Sequence, residues 1–367
     1  MKLADLTTLR VGGEAATVVA PPTRDGLIAA VEGIWASGDE LLLLGGGSNV
    51  LVGDDDFDGT VIRVVTRGID PLPAGVPGTV RLRVQAGEPW DALVAYTVAR
   101  GWAGIEALSG IPGSCGAAPI QNIGAYGQDL AASLVAIDFL DYLSGKLVRI
   151  AASDLLLGYR TSALKQGRDG LVVSIELDLQ PDAASLSQPI AYPQLASALG
   201  VALGDRVPLA AVRQTVLALR AGKGMVLDPA DPDSVSAGSF FTNPIVSENF
   251  ARRLPADAPR WPVTPEPEPV VVPLGAPIPE IVRETPVDEA MVKLSAAWLI
   301  ENAGIHRGFA LPGSRAAVSG KHTLALTNRG GSTASELSQL ARYIQTRVLA
   351  EFGVRLHPEP VFVGVAL

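Results

Sequence analysis

A glycine-rich stretch, residues 109–127, constrains the fold of this chain more than any other feature; it reads SGIPGSCGAAPIQNIGAYG. Glycine lets the backbone adopt positive φ and approach a ligand closely. Successive exposed amide N–H groups then form concave nests that bind an anion such as pyrophosphate. The isoleucines and the tyrosine in the stretch would anchor it, whereas a flexible linker would be polar. The sequence therefore favours a phosphate-binding loop over a surface loop or a linker.

A second glycine-rich loop, Gly45-Gly46-Gly47-Ser48-Asn49, directly follows an apolar strand-like run. Val50 stands where the third glycine of GxGxxG would be, which argues against a Rossmann dinucleotide fold. Gly222-Lys223 is similar to the end of a Walker loop, but Leu217 and Gly224 replace its first glycine and its hydroxyl residue. Two separate loops of this kind suit one long dinucleotide that lies between two domains.

Length and net charge limit the classes of protein to which this chain can belong. At 367 residues the chain exceeds one average hydrophobic core, so we expect two or three domains. The formal net charge of -9 argues against general affinity for nucleic acid or for an anionic membrane, because both need a basic surface. The start of the chain has no apolar signal segment, and no apolar run approaches the roughly 18 residues of a membrane helix. The sequence predicts a cytoplasmic protein.

Cysteine and histidine usage argues against a metal site. The single cysteine, Cys115, excludes an internal disulfide and a thiolate-rich metal site. The three histidines are far apart, and none has a spacing typical of zinc: His306, His322 and His357. We expect no bound metal, and we interpret Cys115 as a small packed side chain rather than a nucleophile.

Hydrophobic periodicity predicts an alternation of helices and strands in the first half of the chain. Thr23 caps a predicted helix, and strands are predicted at 41–44 and 60–65. The proline- and glycine-rich stretch 71–78 indicates a domain joint. Beyond it the pattern predicts a strand, a helix, a hairpin turned by Ser144-Gly145 and a final strand, at 80–84, 88–100, 134–151 and 171–179.

The second half is mainly helical in period. Apolar residues recur at helical spacing up to Gly222, and Thr333 with Glu336 forms a capping box at the start of another predicted helix. The tail 356–363 is strand-like, and the proline- and acid-rich segment 254–288 indicates an extended surface excursion. The fold class predicted from these elements is α+β, in several domains.

Five motifs, in this order and spacing, resemble the family of bacterial UDP-N-acetylenolpyruvoylglucosamine reductases over nearly the whole chain. They are LGGGSN at 44–49, the loop 109–127, GYR at 158–160, GSFFTN at 238–243 and HPE at 357–359. The resemblance implies an FAD-binding fold of the vanillyl-alcohol-oxidase kind in two domains, plus an α+β substrate-binding domain. The implied divisions are 1–70 and 71–204 for FAD and 205–353 for substrate, with the tail 354–367 returning to the active site.

The resemblance implies three catalytic residues. Ser239 matches the proton donor; a hydroxyl is a weak acid, so this role requires a cation or flavin to stabilise the alkoxide. Arg160 matches the arginine against the substrate carboxylate, where a permanent, forked charge suits a developing enolate. Glu359 matches the acidic partner, held extended between two prolines. Without the resemblance, a turn-forming serine, a solvated salt bridge and a surface acid would be the simpler interpretations.

The remaining implied site residues bind cofactor or substrate. Lys223, a compact cation, suits a phosphate, and Asn302 stands where some relatives have glutamine. The implied substrate-binding residues are Tyr159, Tyr192, Lys223, Asn243 and Asn302. The implied FAD-binding residues are Gly45, Gly46, Gly47, Ser48, Asn49, Ser109, Gly110, Pro112, Gly113, Ser114, Gly116, Ala117, Gln121, Asn122, Gly124, Ala125, Tyr126 and Gly127.

The implied activity is a two-step reduction in one pocket. NADPH reduces bound FAD and leaves, and the enolpyruvyl ether of UDP-N-acetylglucosamine then receives hydride at its vinyl carbon and a proton from Ser239. NADPH and this sugar nucleotide are the expected partners of an expected monomer. One alternative is an FAD-dependent oxidase of an alcohol or sugar on the same scaffold. Another is a non-catalytic nucleotide-binding regulator that keeps the loops without the chemistry.

Overall fold

The first sheet is parallel and carries one of the glycine-rich loops at its edge. The structure, a computed structural model, describes residues 1–263 and 290–367. A short 3₁₀ turn, Leu3–Leu6, precedes the elements β1 (Ala15–Val19), α1 (Arg24–Ser37), β2 (Leu41–Leu44), β3 (Val50–Val52) and β4 (Phe57–Arg63). The strand order is β1-β4-β2, with parallel pairing throughout. As predicted, Thr23 begins α1, where its Oγ1 accepts from Gly26 N at 3.2 Å.

The second sheet is antiparallel and follows the predicted strand pattern. Its region comprises β5 (Ile69–Leu72), β6 (Val80–Gln85), α2 (Trp90–Val98), β7 (Trp102–Ala103), β8 (Gly124–Ala125), β9 (Gln128–Asp129), β10 (Leu134–Asp141), β11 (Lys146–Ala151) and β12 (Gly170–Pro181). The order is β11-β10-β12-β6-β5, and β7 pairs with the end of β12. Short 3₁₀ turns occupy Glu106–Leu108, Leu130–Ala132 and Ala152–Leu155.

The proline-rich stretch 71–78 differs from its prediction as a domain joint. Strand β5 begins before it, and Ile69 and Leu72 pair with Val84 and Arg81 of β6. The stretch therefore turns a hairpin inside the second sheet, and the chain passes between the sheets at residues 64–68. The proposed division at residue 70 falls within this strand.

The last part of the chain contains small sheets around one long helix. Its elements are α3 (Pro193–Leu199), α4 (Leu209–Ala221), β13 (Ser236–Ser239), β14 (Ile245–Ser247), α5 (Glu248–Ala251), β15 (Arg260–Val263), β16 (Met291–Leu294), α6 (Ala296–Asn302), β17 (Ala316–Val318), β18 (Ala325–Asn328), α7 (Ala334–Phe352) and β19 (Val361–Val363), with a 3₁₀ turn at Pro232–Ser234. The sheet orders are β13-β18-β17 and β14-β16-β15. The capping box of Thr333 and Glu336 at the start of α7 is confirmed.

Two parts of this region depart from the sequence interpretation or extend it. Helix α4 packs its apolar face against Ala107, Ile190 and Leu195, beside the second sheet, rather than against the core around α7. Residues 260–263 of the predicted excursion form β15, because they pair with β16. The rest of that excursion lies outside the described residues. Within the described ranges, no helix is both long and apolar enough to cross a membrane.

Candidate functional site

The two glycine-rich loops meet backbone to backbone beside a cavity of ≈ 390 Å³. Ser48 Oγ donates to Pro112 O at 3.1 Å. A Cβ placed on Gly46 would lie 2.6 Å from Gly113 Cα, and Gly113 has φ +115. Real Cβ atoms do not approach a backbone this closely, so the contact depends on the missing side chains. The glycines of the two loops are what allows both walls of the cavity to be built from backbone.

Asn49 ties the two loops to the C-terminal tail. Its Nδ2 donates to Gln121 Oε1 at 2.7 Å and to Glu359 O at 3.3 Å. Its own carbonyl accepts from Val361 N at 2.9 Å, where β19 begins to pair in parallel with β3. Because β3 directly follows the first loop, this pairing brings Glu359 into the cavity wall.

Glu359 is buried beside two cations. Its backbone N–H donates to Phe240 O at 2.9 Å. Its Oε1 lies 3.4 Å from Arg160 Nε, and Lys165 Nζ donates to its carbonyl oxygen at 3.3 Å. Burial raises the pKa of the Glu359 carboxyl, while the charges of Arg160 and Lys165 oppose this rise. The long, single ion-pair contact does not offset the loss of hydration, so the neutral acid is favoured more than in an exposed glutamate.

Arg160 is held over the second loop in an uncommon backbone conformation. Its φ is +56, although it is not glycine. Its Nη2 donates to Gly124 O at 2.6 Å and its Nη1 to Asn122 O at 3.4 Å. Asn122 Nδ2 in turn donates to Gly158 O at 3.1 Å. The guanidinium is therefore fixed to the loop on one side and to Glu359 on the other.

Ser239 ends β13 and lines the same cavity as Arg160, Lys165 and Glu359. Gly238 before it has φ +73, and the pairing of β13 with β18 shifts between Ser236 and Ser239. An irregular strand of this kind redirects a side chain away from the regular alternation. The structure thus brings the three residues interpreted as catalytic, from three distant parts of the chain, to one cavity.

The structure separates the predicted FAD-binding residues into two groups. Those that line the cavity are Gly45, Gly46, Gly47, Ser48, Asn49, Pro112, Gly113, Ser114, Ala117, Gln121 and Gly124. Gly116 lines a second cavity of ≈ 190 Å³, which shares Leu43, Gly45, Ser114, Ala117 and Ile120 with the first. The two cavities therefore lie next to each other along the loops, and together they are called the cleft.

The second group lies behind the cavity wall: Ser109, Gly110, Asn122, Ala125, Tyr126 and Gly127. Ser109 Oγ donates to Glu106 O, and Gly110 N donates to Asp91 Oδ1. Ala125 pairs in the small β8–β9 ladder. These contacts shape the second loop from behind, so we expect these residues to position the wall rather than to touch the ligand.

The predicted substrate-binding residues lie outside the lining of both cavities. Lys223 Nζ donates to Gln194 Oε1 at 3.0 Å and lies 5.6 Å from the ring centre of Tyr126. Tyr126 packs edge-on against Tyr192 at 5.7 Å. Lys223 directly precedes Gly224, which does line the main cavity. This group therefore lies close to one end of the cleft.

The other three predicted substrate-binding residues have partners within the last part of the chain. Lys293 Nζ lies 4.8 Å above the half-exposed ring of Tyr159. Asn243 Oδ1 accepts from Ala296 N at 2.9 Å, at the start of α6. Exposed Asn302 donates to Trp298 O of its own helix at 2.9 Å. The side-chain amides of Asn243 and Asn302 are thus each hydrogen-bonded within the protein. The roles of Tyr159, Asn243 and Asn302 toward a substrate stay predictions.

Two cavity-lining cations were missed by the sequence interpretation. Burial lowers the pKa of Lys165. The one feature of the sequence that could have indicated this residue is its position five residues after Arg160. Arg220 is 8% exposed, and within residues 1–263 and 290–367 its Nε has no hydrogen-bond partner. Its place one helical turn before Lys223 could have suggested it. A buried guanidinium with a free donor beside a cavity fits an anionic or carbonyl-bearing ligand.

A wider positive field surrounds this end of the cleft. Burial, followed by the charges of Lys223, Arg307 and Arg220, lowers the pKa of His322 to about 4. His322 is therefore neutral at pH 7, and the cations supply the charge. An anionic group such as a diphosphate would be stabilised there.

The raised pKa of Glu359 predicts a pH-dependent stability. A carboxyl whose pKa is higher in the folded protein contributes stability below its ordinary value, 4.5, and this contribution is lost as pH rises through the folded value. We therefore expect the unfolding free energy of the wild type, minus that of Glu359→Gln, to fall as pH rises above 4.5. Urea unfolding of both FAD-loaded proteins over this range measures the difference. A difference independent of pH would contradict the raised pKa.

Two family models match the chain. One, described as an FAD binding domain, matches residues 15–151. The other, described as the C-terminal domain of UDP-N-acetylenolpyruvoylglucosamine reductase, matches residues 229–363. The first match includes both glycine-rich loops, and the second includes Ser239 and Glu359.

Curated relatives and a solved structure match over the full length. The UDP-N-acetylenolpyruvoylglucosamine reductase of Leifsonia xyli is 60% identical, with 100% of this chain and 98% of the relative covered. The enzyme of the same name from Salinispora arenicola is 46% identical, with 100% and 95% covered. The crystal structure of UDP-N-acetylenolpyruvylglucosamine reductase from Thermus caldophilus matches with a TM-score of 0.63 at 24% identity, covering 99% of this chain and 97% of that one. This likeness shows the fold.

Proposed function

The chain belongs to the family of UDP-N-acetylenolpyruvoylglucosamine reductases, and on that premise we propose how its cavity carries out the reaction. It is an FAD-dependent oxidoreductase that uses NADPH to reduce UDP-N-acetylglucosamine enolpyruvate to UDP-N-acetylmuramate, in peptidoglycan precursor synthesis. Family membership sets aside both alternatives considered from the sequence, an oxidase of alcohols or sugars and a non-catalytic regulator. What remains to be proposed is the role of each residue.

The cleft fits FAD by three features. Its backbone walls meet where a Cβ on Gly46 would collide with Gly113, as a backbone cradle for a diphosphate requires. Its two cavities lie next to each other and share five lining residues. Arg220, a buried cation, lines the larger cavity. The lining residues of loops 45–49 and 112–124 would hold the cofactor. FAD, when bound, accepts hydride from NADPH and delivers hydride to the enolpyruvyl double bond.

The observation that carries the proposal is the convergence of Ser239, Arg160 and Glu359 on the cavity that both glycine-rich loops line. Reduction of the double bond leaves negative charge on the carbon next to the carboxylate, and a proton must reach that carbon. Ser239 supplies the proton from its hydroxyl. Arg160 and Lys165, which line the same cavity, provide the positive field in which a serine alkoxide is stabilised.

Glu359 and Arg160 act as a pair on the substrate carboxylate. We propose that Glu359 acts in its protonated form, which burial favours by raising the pKa of the carboxyl, and that this carboxyl donates a hydrogen bond to an oxygen whose charge increases. Arg160 is already fixed by two loop carbonyls, and little reorganisation is needed during the reaction. Preorganised donors of this kind stabilise the transition state more than the bound substrate.

The rest of the substrate is proposed to lie toward the basic end of the cleft. Lys223, with Arg220 close to it, suits the diphosphate, and Tyr192 with Tyr126 offers an aromatic edge near it. Tyr159, Asn243 and Asn302 are proposed substrate contacts on the family resemblance alone. We also propose that the enzyme works in the cytoplasm as a monomer, since the site is built entirely within one chain.

The Arg160→Lys variant tests this arrangement. Lysine keeps the charge but loses the planar fork that spans Gly124 O and the Glu359 carboxyl group. Loss of one hydrogen bond to a charged group costs about 1.5 kcal/mol, so reoxidation by the enolpyruvyl sugar nucleotide should slow about tenfold. Reduction by NADPH should change less. Anaerobic stopped-flow absorbance of the flavin separates the two half-reactions.

The surface pair Arg252–Glu248 provides a matched control. Arg252→Lys makes the same chemical change far from the cavity and should leave both half-reactions unaltered. Equal slowing of both half-reactions in Arg160→Lys would contradict the proposed role of Arg160. An unchanged rate of the second half-reaction would also contradict it.

A further inference from the structure

The N-terminal segment of the chain passes between two walls of the site. The two family models begin at residues 15 and 229, so neither covers it. Leu3 is buried against the first sheet, whereas Leu9 and Val11 are buried in the core around α7. The segment therefore connects the hydrophobic core behind the first glycine-rich loop with the core that supports Ser239.

Thr8 contacts both walls. Its backbone N–H donates to Gly47 O at 3.0 Å. Its Oγ1 lies 2.6 Å from Ser236 O and 3.4 Å from Gly47 O. A hydroxyl has one proton to donate, and the shorter contact assigns that proton to Ser236. Thr8 is only 9% exposed, so water does not compete freely for this bond.

The strand that Thr8 holds is joined to β18 by a short, interrupted ladder, with Asn328 N donating to Val235 O at 3.1 Å before it and Phe240 N donating to Leu324 O at 2.7 Å after it. β13 is the edge strand of its sheet, and its pairing with β18 is confined to Ser236 with Thr327 and Ser239 with Ala325. The register shifts between these pairs, where Gly238 has φ +73. An interrupted ladder fixes a strand less firmly than a continuous one. The hydroxyl of Thr8 supplies a bond on the strand's free edge, three residues before Ser239.

The segment itself has a fixed place against the loop and the sheet. Gly47 has φ +61, and a Cβ at this position would collide with Leu6 O. Asn328 Nδ2 donates to Leu9 O at 3.0 Å and to Arg10 O at 3.2 Å, from the strand that pairs with β13. Backbone contacts thus fasten the segment to both neighbours. Thr8 is bonded to the loop at Gly47 O and to the strand of Ser239 at Ser236 O.

We propose that Thr8 is a positioning residue whose hydroxyl sets the separation between the first glycine-rich loop and Ser239. The inference rests on the proposed role of Ser239 as the proton donor. A displacement of about 1 Å at a reacting group can cost about 10²-fold in rate. A change at Thr8 therefore slows proton delivery without touching substrate, while hydride transfer from NADPH, which needs no proton from Ser239, continues.

Three variants test the proposal in the FAD-loaded enzyme. Thr8→Val keeps the shape and removes the hydroxyl, and Thr8→Ser keeps the hydroxyl and removes the methyl. Thr7→Val is the matched control, because Thr7 Oγ1 donates to Val11 O at 3.3 Å within the same segment, and among the described residues it makes no side-chain hydrogen bond to either wall. We expect reoxidation by the enolpyruvyl sugar nucleotide to fall about 10- to 100-fold in Thr8→Val, to recover in Thr8→Ser, and to remain normal in Thr7→Val.

A second readout does not depend on turnover. Hydrogen exchange of the amides of residues 236–239 should accelerate in Thr8→Val and not in Thr7→Val, with equal FAD content. Thr8→Ala repeats the measurement if valine prevents folding. Equal slowing of both half-reactions, failure of Thr8→Ser to recover the rate, or unchanged exchange would overturn the proposal.

Combination with Ser239→Ala separates this inference from the proposed function. If Thr8 acts through Ser239, Thr8→Val should cause no further slowing in the Ser239→Ala background. A normal reoxidation rate in Ser239→Ala would overturn the role of Ser239 and this inference with it. A slow Ser239→Ala enzyme beside a normal Thr8→Val enzyme would overturn the inference alone.

Discussion

Replacement of Ser239 by alanine should slow reoxidation of the reduced enzyme by the enolpyruvyl sugar nucleotide by about 10²- to 10⁴-fold, the usual contribution of a positioned general acid. Reduction by NADPH should remain nearly normal, because it requires no proton from this side chain. Alanine keeps the Cβ of serine and removes only the hydroxyl, which introduces no strain because Ser239 lines an open cavity. FAD content should therefore be unchanged.

Anaerobic stopped-flow measurement of each half-reaction gives the result directly. Ser239→Cys is the matched variant, because a thiol of similar size keeps a transferable proton and should retain more of the rate than alanine. Equal loss of both half-reactions would mean that the substitution disturbs the cofactor rather than proton transfer. Retention of full reoxidation in Ser239→Ala would require another proton donor.

Gly46→Ala should abolish tight FAD binding. The added Cβ would lie 2.6 Å from Gly113 Cα and 3.1 Å from Gly113 C, both backbone atoms that cannot rotate away. Overpacking of a tight site costs up to about 3 kcal/mol, which corresponds to FAD binding weaker by up to about 100-fold. The two loops must separate to admit the methyl group, and the cradle for the cofactor then opens. We expect the variant to be purified largely without flavin.

Gly33→Ala is the control for this change. Gly33 lies on the exposed face of α1, where an added Cβ meets no atom within 4 Å. Alanine in a helix interior stabilises by about 0.5–1 kcal/mol relative to glycine, so this variant should bind FAD normally and unfold at a slightly higher temperature. Titration of each apoprotein with FAD, followed by flavin fluorescence, measures the affinity. Normal affinity in Gly46→Ala would show that the loop contact does not support the cofactor.

The local features of the site could be read from the sequence because they depend on backbone freedom and capping chemistry. The glycines at 45–47 and 113 predict a backbone that a ligand can approach closely; in the structure the two loops approach each other closely at Gly46 and Gly113, and the approach of a ligand stays a prediction. Thr23 and the pair Thr333 and Glu336 begin helices as their side chains require. Each of these features involves residues that are neighbours in sequence, so the necessary information lies within a few positions.

Partners across the chain could not be read in the same way. Hydrophobic periodicity predicts that α4 has an apolar face, but it does not predict which surface this face packs against. The helix packs beside Ala107 and Ile190 rather than against the core around α7. Asn49 lines the cavity, and its side chain also joins Gln121 to Glu359 O, a contact that no sequence motif indicated. Arg220 and Lys165 carry no motif of their own; only the fold places them at the cavity.

Sequence alone determined the kind of ligand and the family, since glycine spacing and the five ordered motifs encode local backbone geometry. Tertiary structure decided how the site closes. The parallel pairing of β19 with β3 carries Glu359 to Arg160, and the N-terminal segment brings Thr8 between Gly47 and Ser236. Such contacts join residues far apart in the chain, and their geometry depends on how whole sheets and cores pack together, which no short run of residues specifies.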